Sequence, residues 1–330
     1  MGKEVENKKA VGATIQNVAV IGSGLMGHGI AQVFAQGGCS VTINDVNEEI
    51  LEEAKEKIAS NLRTFTEMGL GEERAIDTVM SRITSTTNLQ EAVADADFVT
   101  EAVPEDLDLK KKVFKEIDAA VSKDTIMVSN TSTLSITEIG KPVKNRGRLI
   151  ITHWFNPPYL IPVVEVVRGE LTSQATFETT VSFLRRMGKE PVRVLKEVPG
   201  FLVNRIQTAM FREVLSLLEG GVAQAEEIDR AVKGSFGLRL ATIGPLETAD
   251  LGGLDLWYKG MRHLYRFLDN SLEPQKILKE KVEGGHVGLK AGKGFFQYQH
   301  DSVKGFKEEE RDRKLIQLLK ILYQKKEEKR

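Results

Sequence analysis

The chain has 330 residues, of which 41% are hydrophobic and 28% charged, with one cysteine and a formal net charge of −1. That length exceeds a single small core and suits two domains of a globular protein, one of them α/β-sized. Near-neutral charge removes any general electrostatic drive toward nucleic acid, and no run approaches the roughly 20 apolar residues needed to cross a bilayer.

In chain order, residues 1–15 (MGKEVENKKAVGATI) lack the apolar centre of a signal peptide. Glu6 stands where a myristoylation site opening on Met1-Gly2 needs Ser or Thr. The lone Cys39 excludes an internal disulfide and, at the start of a buried strand, reads as an inert thiol, so a cytoplasmic location is expected. Residues 17–22 (NVAVIG) form a short apolar strand running into Gly22-Ser23-Gly24-Leu25-Met26-Gly27. Residues 25–37 carry helical spacing at Ile30, Val33 and Phe34 and stop at Gly37-Gly38, and a strand follows from Ser40 to Asp45. Strand, loop, helix and strand in this order make a βαβ unit and predict a parallel sheet with right-handed crossovers.

Residues 47–82 read as two charged helices broken at Met68-Gly69-Leu70-Gly71, an inserted helical hairpin. Strand patterns at 96–103, 125–130, 148–155 and 190–197 then alternate with helical stretches at 107–121 and 174–187. The expectation is an α/β, Rossmann-like doubly wound sheet over residues 1–198. After Pro199-Gly200 the strand patterns end, and helices are predicted over 203–219, 225–233, 245–268 and 274–283. Residues 199–330 are therefore expected to form an all-helical domain whose apolar load suits a partner subunit. The charged tail, 307–330, has an apolar stripe at Leu315, Leu318, Leu319 and Leu322, which suggests packing on its own body with a frayed end.

The glycine loop matches G-x-G-x-x-G, a weak signal alone but stronger between a strand and a helix with an acid following. Gly22 permits the tight turn, Gly24 lets a pyrophosphate approach the backbone, and Gly27 lets the helix lie close to the sheet. Ser23, Leu25 and Met26 complete the cradle, and the helix start offers free N–H groups to phosphate. Asp45, 23 residues beyond Gly22, can accept both ribose hydroxyls and would repel a 2′-phosphate. NAD is therefore expected over NADP.

His153 ends a predicted strand at its carboxyl edge, the side on which open α/β sheets bind ligands. Imidazole titrates near neutral pH and can take a hydroxyl proton during oxidation. Glu165, on the next segment, could bond the other ring nitrogen, although spacing alone does not prove contact. The alternative for His153 is a loop residue braced by Asn156-Pro157-Pro158. His28, His263, His286 and His300 read as structural, His28 lying close to the cofactor only through the glycine loop.

Several segments in this order resemble the 3-hydroxyacyl-CoA dehydrogenase family, NAD-dependent enzymes of fatty-acid β-oxidation. They are GSGLMGHGIA (22–31), EAVPEDLDLK (101–110), SNTSTLSIT (129–137), HWFNPP with VVEVV (153–167), PGFLVNR (199–205), GPLETADLGGLD (244–255) and KAGKGFFQY (290–298). The resemblance implies that His153 and Glu165 are the catalytic pair and that Ser132 and Asn204 hydrogen-bond the reacting oxygens. It also implies that Glu105, Lys110, Asn156 and Lys290 contact or position NAD, that no metal takes part, and that the helical domain forms a homodimer. Blander readings stand beside these: Lys110 on a charged helix face, Lys290 in a surface loop, Ser132 and Asn204 as helix caps. The default substrate is an L-3-hydroxyacyl-CoA, oxidised to the 3-ketoacyl-CoA.

Two departures bear on the substrate. The hairpin segment RTFTEMGLGEE (63–73) has Arg63 as its only cation, where the family places basic residues. NPPYLIPVVEV and GLRLATIGPLET are similar to a branch acting on small hydroxy acids or aromatic alcohols, such as lambda-crystallin/gulonate dehydrogenase, carnitine dehydrogenase and a pyridine-carboxylate dehydrogenase. Arg239 is a candidate carboxylate anchor, or simply a surface arginine. A dinucleotide-binding structural protein without turnover is the reading from another class.

Overall fold

The computed structural model describes residues 15–70, 72–298 and 303–323, with side chains of the last segment from Lys307. Met1-Gly2, Glu6, Gly71, His300 and the tail from 324 lie outside the described residues. The chain divides into two compact units, one ending at Asn204 and the other starting at Arg205.

The first unit is built on eight strands: β1 (Asn17–Ile21), β2 (Ser40–Asn44), β3 (Ile83–Thr86), β4 (Phe98–Glu101), β5 (Ile126–Ser129), β6 (Leu149–Trp154), β7 (Val163–Val167) and β8 (Glu190–Val194). They lie in the order β3-β2-β1-β4-β5-β6-β7-β8. Because β1 leaves toward β2 on one side and β4 pairs on the other, the order reverses at β1/β4, where such sheets hold ligands. The inner strands β1, β4, β5 and β6 are covered on both faces and buried along nearly their whole length. Along β1, Val18 and Val20 enter one core while Ala19 and Ile21 enter the other.

The covering helices are α1 (Gly27–Gln36), α2 (Glu48–Glu67), α3 (Glu73–Met80), α4 (Leu89–Val93), α5 (Leu107–Ala120), α6 (Ile136–Ile139) and α7 (Gln174–Arg186). Helices α2 and α3 form the inserted hairpin. Asn47 caps α2 by accepting from the Ile50 amide, and Leu51, Ala54, Ile58 and Leu62 give the helix its buried stripe.

Three features depart from the sequence expectation. Strand β3 and helix α4 were not foreseen: β3 is a short edge strand, ITST, in which only Ile83 is buried, so it carries almost no apolar signal. Strand β7, which holds Glu165, runs antiparallel to β6, so the sheet is mixed rather than parallel throughout. The connection spans only residues 155–162, too short for the crossover of a dozen or more residues that parallel pairing needs.

The second unit is helical: α8 (Val203–Glu219, continuing from the first unit), α9 (Ala225–Val232), a π-helical turn (Lys233–Gly237), α10 (Leu238–Leu240), α11 (Pro245–Gly252), α12 (Leu254–Leu264), α13 (Lys276–Glu283) and α14 (Val303–Tyr323). The single helix expected over 245–268 is broken at Gly253, whose φ of 87° no ordinary helix residue adopts. In α14 Asp312 and Ile316 are buried; of the expected stripe, Leu315, Leu319 and Leu322 are half-buried and Leu318 is exposed.

Candidate active site

At the end of β1, Gly22 has φ 91°, and a Cβ there would lie 2.7 Å from the Ala102 carbonyl oxygen. A Cβ on Gly27 would fall 1.8 Å from the Gly22 carbonyl oxygen, so only glycine lets α1 close on the loop. Gly24 faces open space, and any side chain there would occupy the room that a pyrophosphate needs. The loop thus fits a dinucleotide by shape, and the start of α1 fits it by charge.

Leu25 is exposed, while Met26 packs against the core. Ser23 is buried, and its amide and hydroxyl donate to Asp45 Oδ2 at 2.7 and 3.1 Å. Asp45 Oδ1 accepts from the Val46 amide at 2.8 Å. Asp45 therefore braces the glycine loop as well as closing β2, a tie that spacing could not reveal. His28, directly after the loop, contacts the Gly24 carbonyl through Nδ1 at 2.7 Å. A carbonyl only accepts, so Nδ1 carries the proton, and burial lowers this histidine's pKa.

Across the switch point, β4 ends at Glu101. Its fully buried carboxylate accepts from Lys110 Nζ at 2.6 Å, the Val103 amide at 2.8 Å and the Ser129 hydroxyl at 2.6 Å. Burial pushes the Glu101 carboxyl up, against the pull of Lys110 and Ser129. Lys110 is 1% exposed and also donates to the Val103 carbonyl at 3.1 Å. It is thus not the solvated helix-face cation of the bland reading. The sequence reading gave no role to Glu101 and Ser129, although each opens a segment that carries the family resemblance, EAVPEDLDLK and SNTSTLSIT.

Glu105 takes a different post. Its Oε1 accepts from the Thr131 hydroxyl at 2.5 Å, the Ser132 amide at 3.0 Å and the Thr133 amide at 2.9 Å. Partial burial works to raise this carboxyl, yet those hydrogen bonds and Lys110 hold it below the usual carboxylate range. Glu105 thereby shapes the turn that presents Ser132. The Asn204 side-chain amide donates to the Ser132 carbonyl at 3.4 Å, so these two residues are brought together.

His153 and Glu165 are direct cross-strand partners of β6 and β7. His153 Nδ1 lies 2.7 Å from Glu165 Oε2, with the histidine 3% exposed and the glutamate fully buried. The other carboxylate oxygen accepts the Leu202 and Val203 amides at 3.0 and 2.8 Å. Phe155 and Phe201 flank the imidazole edge-on, with ring centroids 4.7 and 5.5 Å away. Past β6, Asn156 is exposed and joined cis to Pro157. Lys189 is buried and donates to the Pro158 and Ile161 carbonyls of the same connection at 2.7 and 2.9 Å. Lys290 and Arg239 belong to the second unit, and both are exposed.

The matches to family profiles and relatives place the chain among NAD-dependent oxidoreductases acting on CH–OH groups. The chain belongs to the 3-hydroxyacyl-CoA dehydrogenase family: the profile of that family's NAD-binding domain matches residues 17–198, and its C-terminal domain matches 200–298. The chain is 35% identical over 308 residues to the 5-formyl-3-hydroxy-2-methylpyridine 4-carboxylate 5-dehydrogenase of Mesorhizobium japonicum, covering 93% of this chain and 98% of that one. It is 38% identical over 282 residues to the 3-hydroxybutyryl-CoA dehydrogenase of Clostridioides difficile, covering 85% and 99%. Among solved structures, a 5-formyl-3-hydroxy-2-methylpyridine 4-carboxylic acid 5-dehydrogenase, described as an NAD+-dependent dismutase, matches with a TM-score of 0.87 at 34% identity, covering 94% and 99%.

Proposed function

We propose that this chain oxidises the CH–OH group of an alcohol with His153 as base and Glu165 as the group that orients it. The observation that supports this most is the 2.7 Å contact between Nδ1 and a fully buried carboxylate. A carboxylate accepts, so the Nδ1 proton stays with it and Nε2 keeps the lone pair that takes the hydroxyl proton. As the ring becomes imidazolium, the Glu165 charge offsets it, a contribution of roughly 10²- to 10⁴-fold for such a base. NAD, when bound, would supply the acceptor for the hydride from the same carbon. Ser132 and Asn204 hold the reacting oxygens, and the glycine loop, Asp45, Glu105, Lys110, Asn156 and Lys290 contact or position NAD. Replacing His153 by Gln is expected to abolish turnover with NADH binding nearly intact. Full activity in that variant removes His153 from the mechanism, and absence of turnover in the unaltered chain favours a binding protein.

The family implies an L-3-hydroxyacyl-CoA substrate, oxidised to the 3-ketoacyl-CoA as in fatty-acid β-oxidation. One observation favours a second reading, a hydroxy acid or aromatic alcohol free of coenzyme A. On the α2–α3 hairpin, Lys55 pairs with Glu52, Lys57 with Glu53 and Arg74 with Glu72, while Arg63 is exposed, so three of these four cations already face acids. A nucleotide with three phosphate groups would gain little there. The relative from Mesorhizobium, named for a pyridine carboxylate, points the same way. NADH formation from 3-hydroxybutyryl-CoA against gulonate, carnitine and aromatic alcohols separates the two, and the productive substrate decides.

We assign residues 1–198 to NAD, 199–330 to substrate and self-association, and the whole to the cytoplasm. A homodimer is supported by α12, where Leu254, Leu256, Trp257, Tyr258, Met261 and Leu264 are all exposed. Apolar surface of that kind is ordinarily covered. Light scattering after size exclusion tests it, and a monomer at micromolar concentration refutes it.

A further inference from the structure

Phe201 is unusual in two respects. Among the described residues it is the one non-glycine with a positive φ, 52°. Bulky side chains seldom adopt that conformation, and glycine would take it freely. Its ring is also 2% exposed and meets the His153 imidazole edge-on at 5.5 Å. Such conformations persist where the surroundings over-determine them, and they gather at functional sites.

The surroundings do that here. Gly200 precedes with φ 76°, and the Phe201 amide donates to the Val198 carbonyl at 2.9 Å. The next two amides, Leu202 and Val203, both donate to Glu165 Oε1. One left-handed step therefore serves both members of the dyad. It lays an aromatic edge against the imidazole, and it turns a pair of amides toward the carboxylate that holds the other side of that ring. A glycine at 201 would supply the turn without strain but leave the imidazole without this wall.

We propose that Phe201 is a positioning residue for His153, holding the imidazole plane with its ring while its backbone delivers the amide pair to Glu165. This rests on His153 being the base. Its ring meets His153 and its amide donates to Val198, so its effect falls on turnover rather than on NAD.

Phe201→Gly keeps the backbone conformation and removes the wall, whereas Phe201→Leu keeps apolar bulk. The expected result is a kcat reduced roughly 10- to 100-fold in Phe201→Gly, with KM for NAD and NADH binding within about twofold, because small misplacement of a reacting group costs that much. Phe201→Leu is expected to recover most of the loss. A Phe201→Gly protein with unchanged kcat, while His153→Gln is inactive, overturns the proposal and leaves the dyad standing. NADH affinity falling in step with kcat in both variants also overturns it, since that assigns Phe201 to folding alone. An active His153→Gln protein instead removes the reading on which the proposal rests.

Discussion

Changing Glu165 to Gln alters one atom in the dyad and tests how the imidazole is oriented. The native carboxylate satisfies three donors: His153 Nδ1 on one oxygen and the Leu202 and Val203 amides on the other. Glutamine has a single oxygen for them. If that oxygen faces the two amides it keeps two neutral hydrogen bonds, against one if it faces the ring, a preference of about 1 kcal/mol. The alternative also sets the glutamine NH₂ against two N–H donors. The oxygen therefore stays with the amides, and the NH₂ donates to Nδ1. Nδ1 becomes an acceptor, the ring proton moves to Nε2, and the base loses its lone pair.

The imidazolium would also form without a facing negative charge. Where the aspartate of a serine-protease triad is changed to asparagine, the same inversion costs about 10⁴-fold in kcat. A loss of roughly 10³- to 10⁴-fold is expected here, with KM for NAD unchanged because the glycine loop and Asp45 are untouched. Steady-state NADH formation measures it, with thermal unfolding alongside for the stability lost with a charge-assisted bond, about 1.5–3 kcal/mol. A folded Glu165→Gln protein retaining kcat within about threefold of the parent would contradict the general-base account.

Lys110→Met leaves Glu101 buried without its cation and is expected to cost about 3–5 kcal/mol, whereas Glu101→Leu with Lys110→Met should restore most of it; thermal unfolding of the two proteins decides, and equal melting temperatures refute the pair. Lys189 is pushed down to about 8 by burial. Between that value and the ordinary lysine value near 10.4 the unfolded chain binds more protons than the folded one. Stability should therefore rise with pH through that window, by about 3 kcal/mol, relative to a Lys189→Met protein measured in parallel; identical pH profiles for the two would refute the shift. Asp45→Ser with Val46→Arg should raise NADP use relative to NAD about tenfold or more, read as a ratio of kcat/KM values, and equal use of both by the unaltered chain removes Asp45 from the selection.

The elements that sequence revealed are those in which one signal dominates. The unit from β1 to β2 was legible because three glycines and Asp45 must fall at set places around a phosphate cradle. Helix α8 was legible from Ile206, Met210, Val214 and Leu217, yet the structure leaves Ile206, Met210 and Leu217 exposed, so the helix was seen while what covers that face was not. Strand β3 was missed because three of its four residues are Ser or Thr. Lys110 looks like a solvated charge in LDLKKKVFK, and only the fold shows that Glu101, nine residues earlier at a strand end, reaches it. The left-handed backbone at Phe201 has no sequence signature at all, since nothing in a phenylalanine encodes it.

The proposed catalytic pair was legible as two residues but not as a contact, and the reversal of chain direction at β7 explains both facts. In the parallel part of the sheet, consecutive strands are separated by a crossover, so a base and its orienting acid would need to lie far apart in sequence. The short connection 155–162 instead folds β7 back beside β6, and the register places His153 opposite Glu165 with both side chains on one face. A register shifted by one residue would send the carboxylate to the opposite face, away from the imidazole. Lys189, bonded to the carbonyls of Pro158 and Ile161, holds that connection from β8's approach. The buried cation that pH should titrate therefore secures the loop whose length sets the register of the dyad.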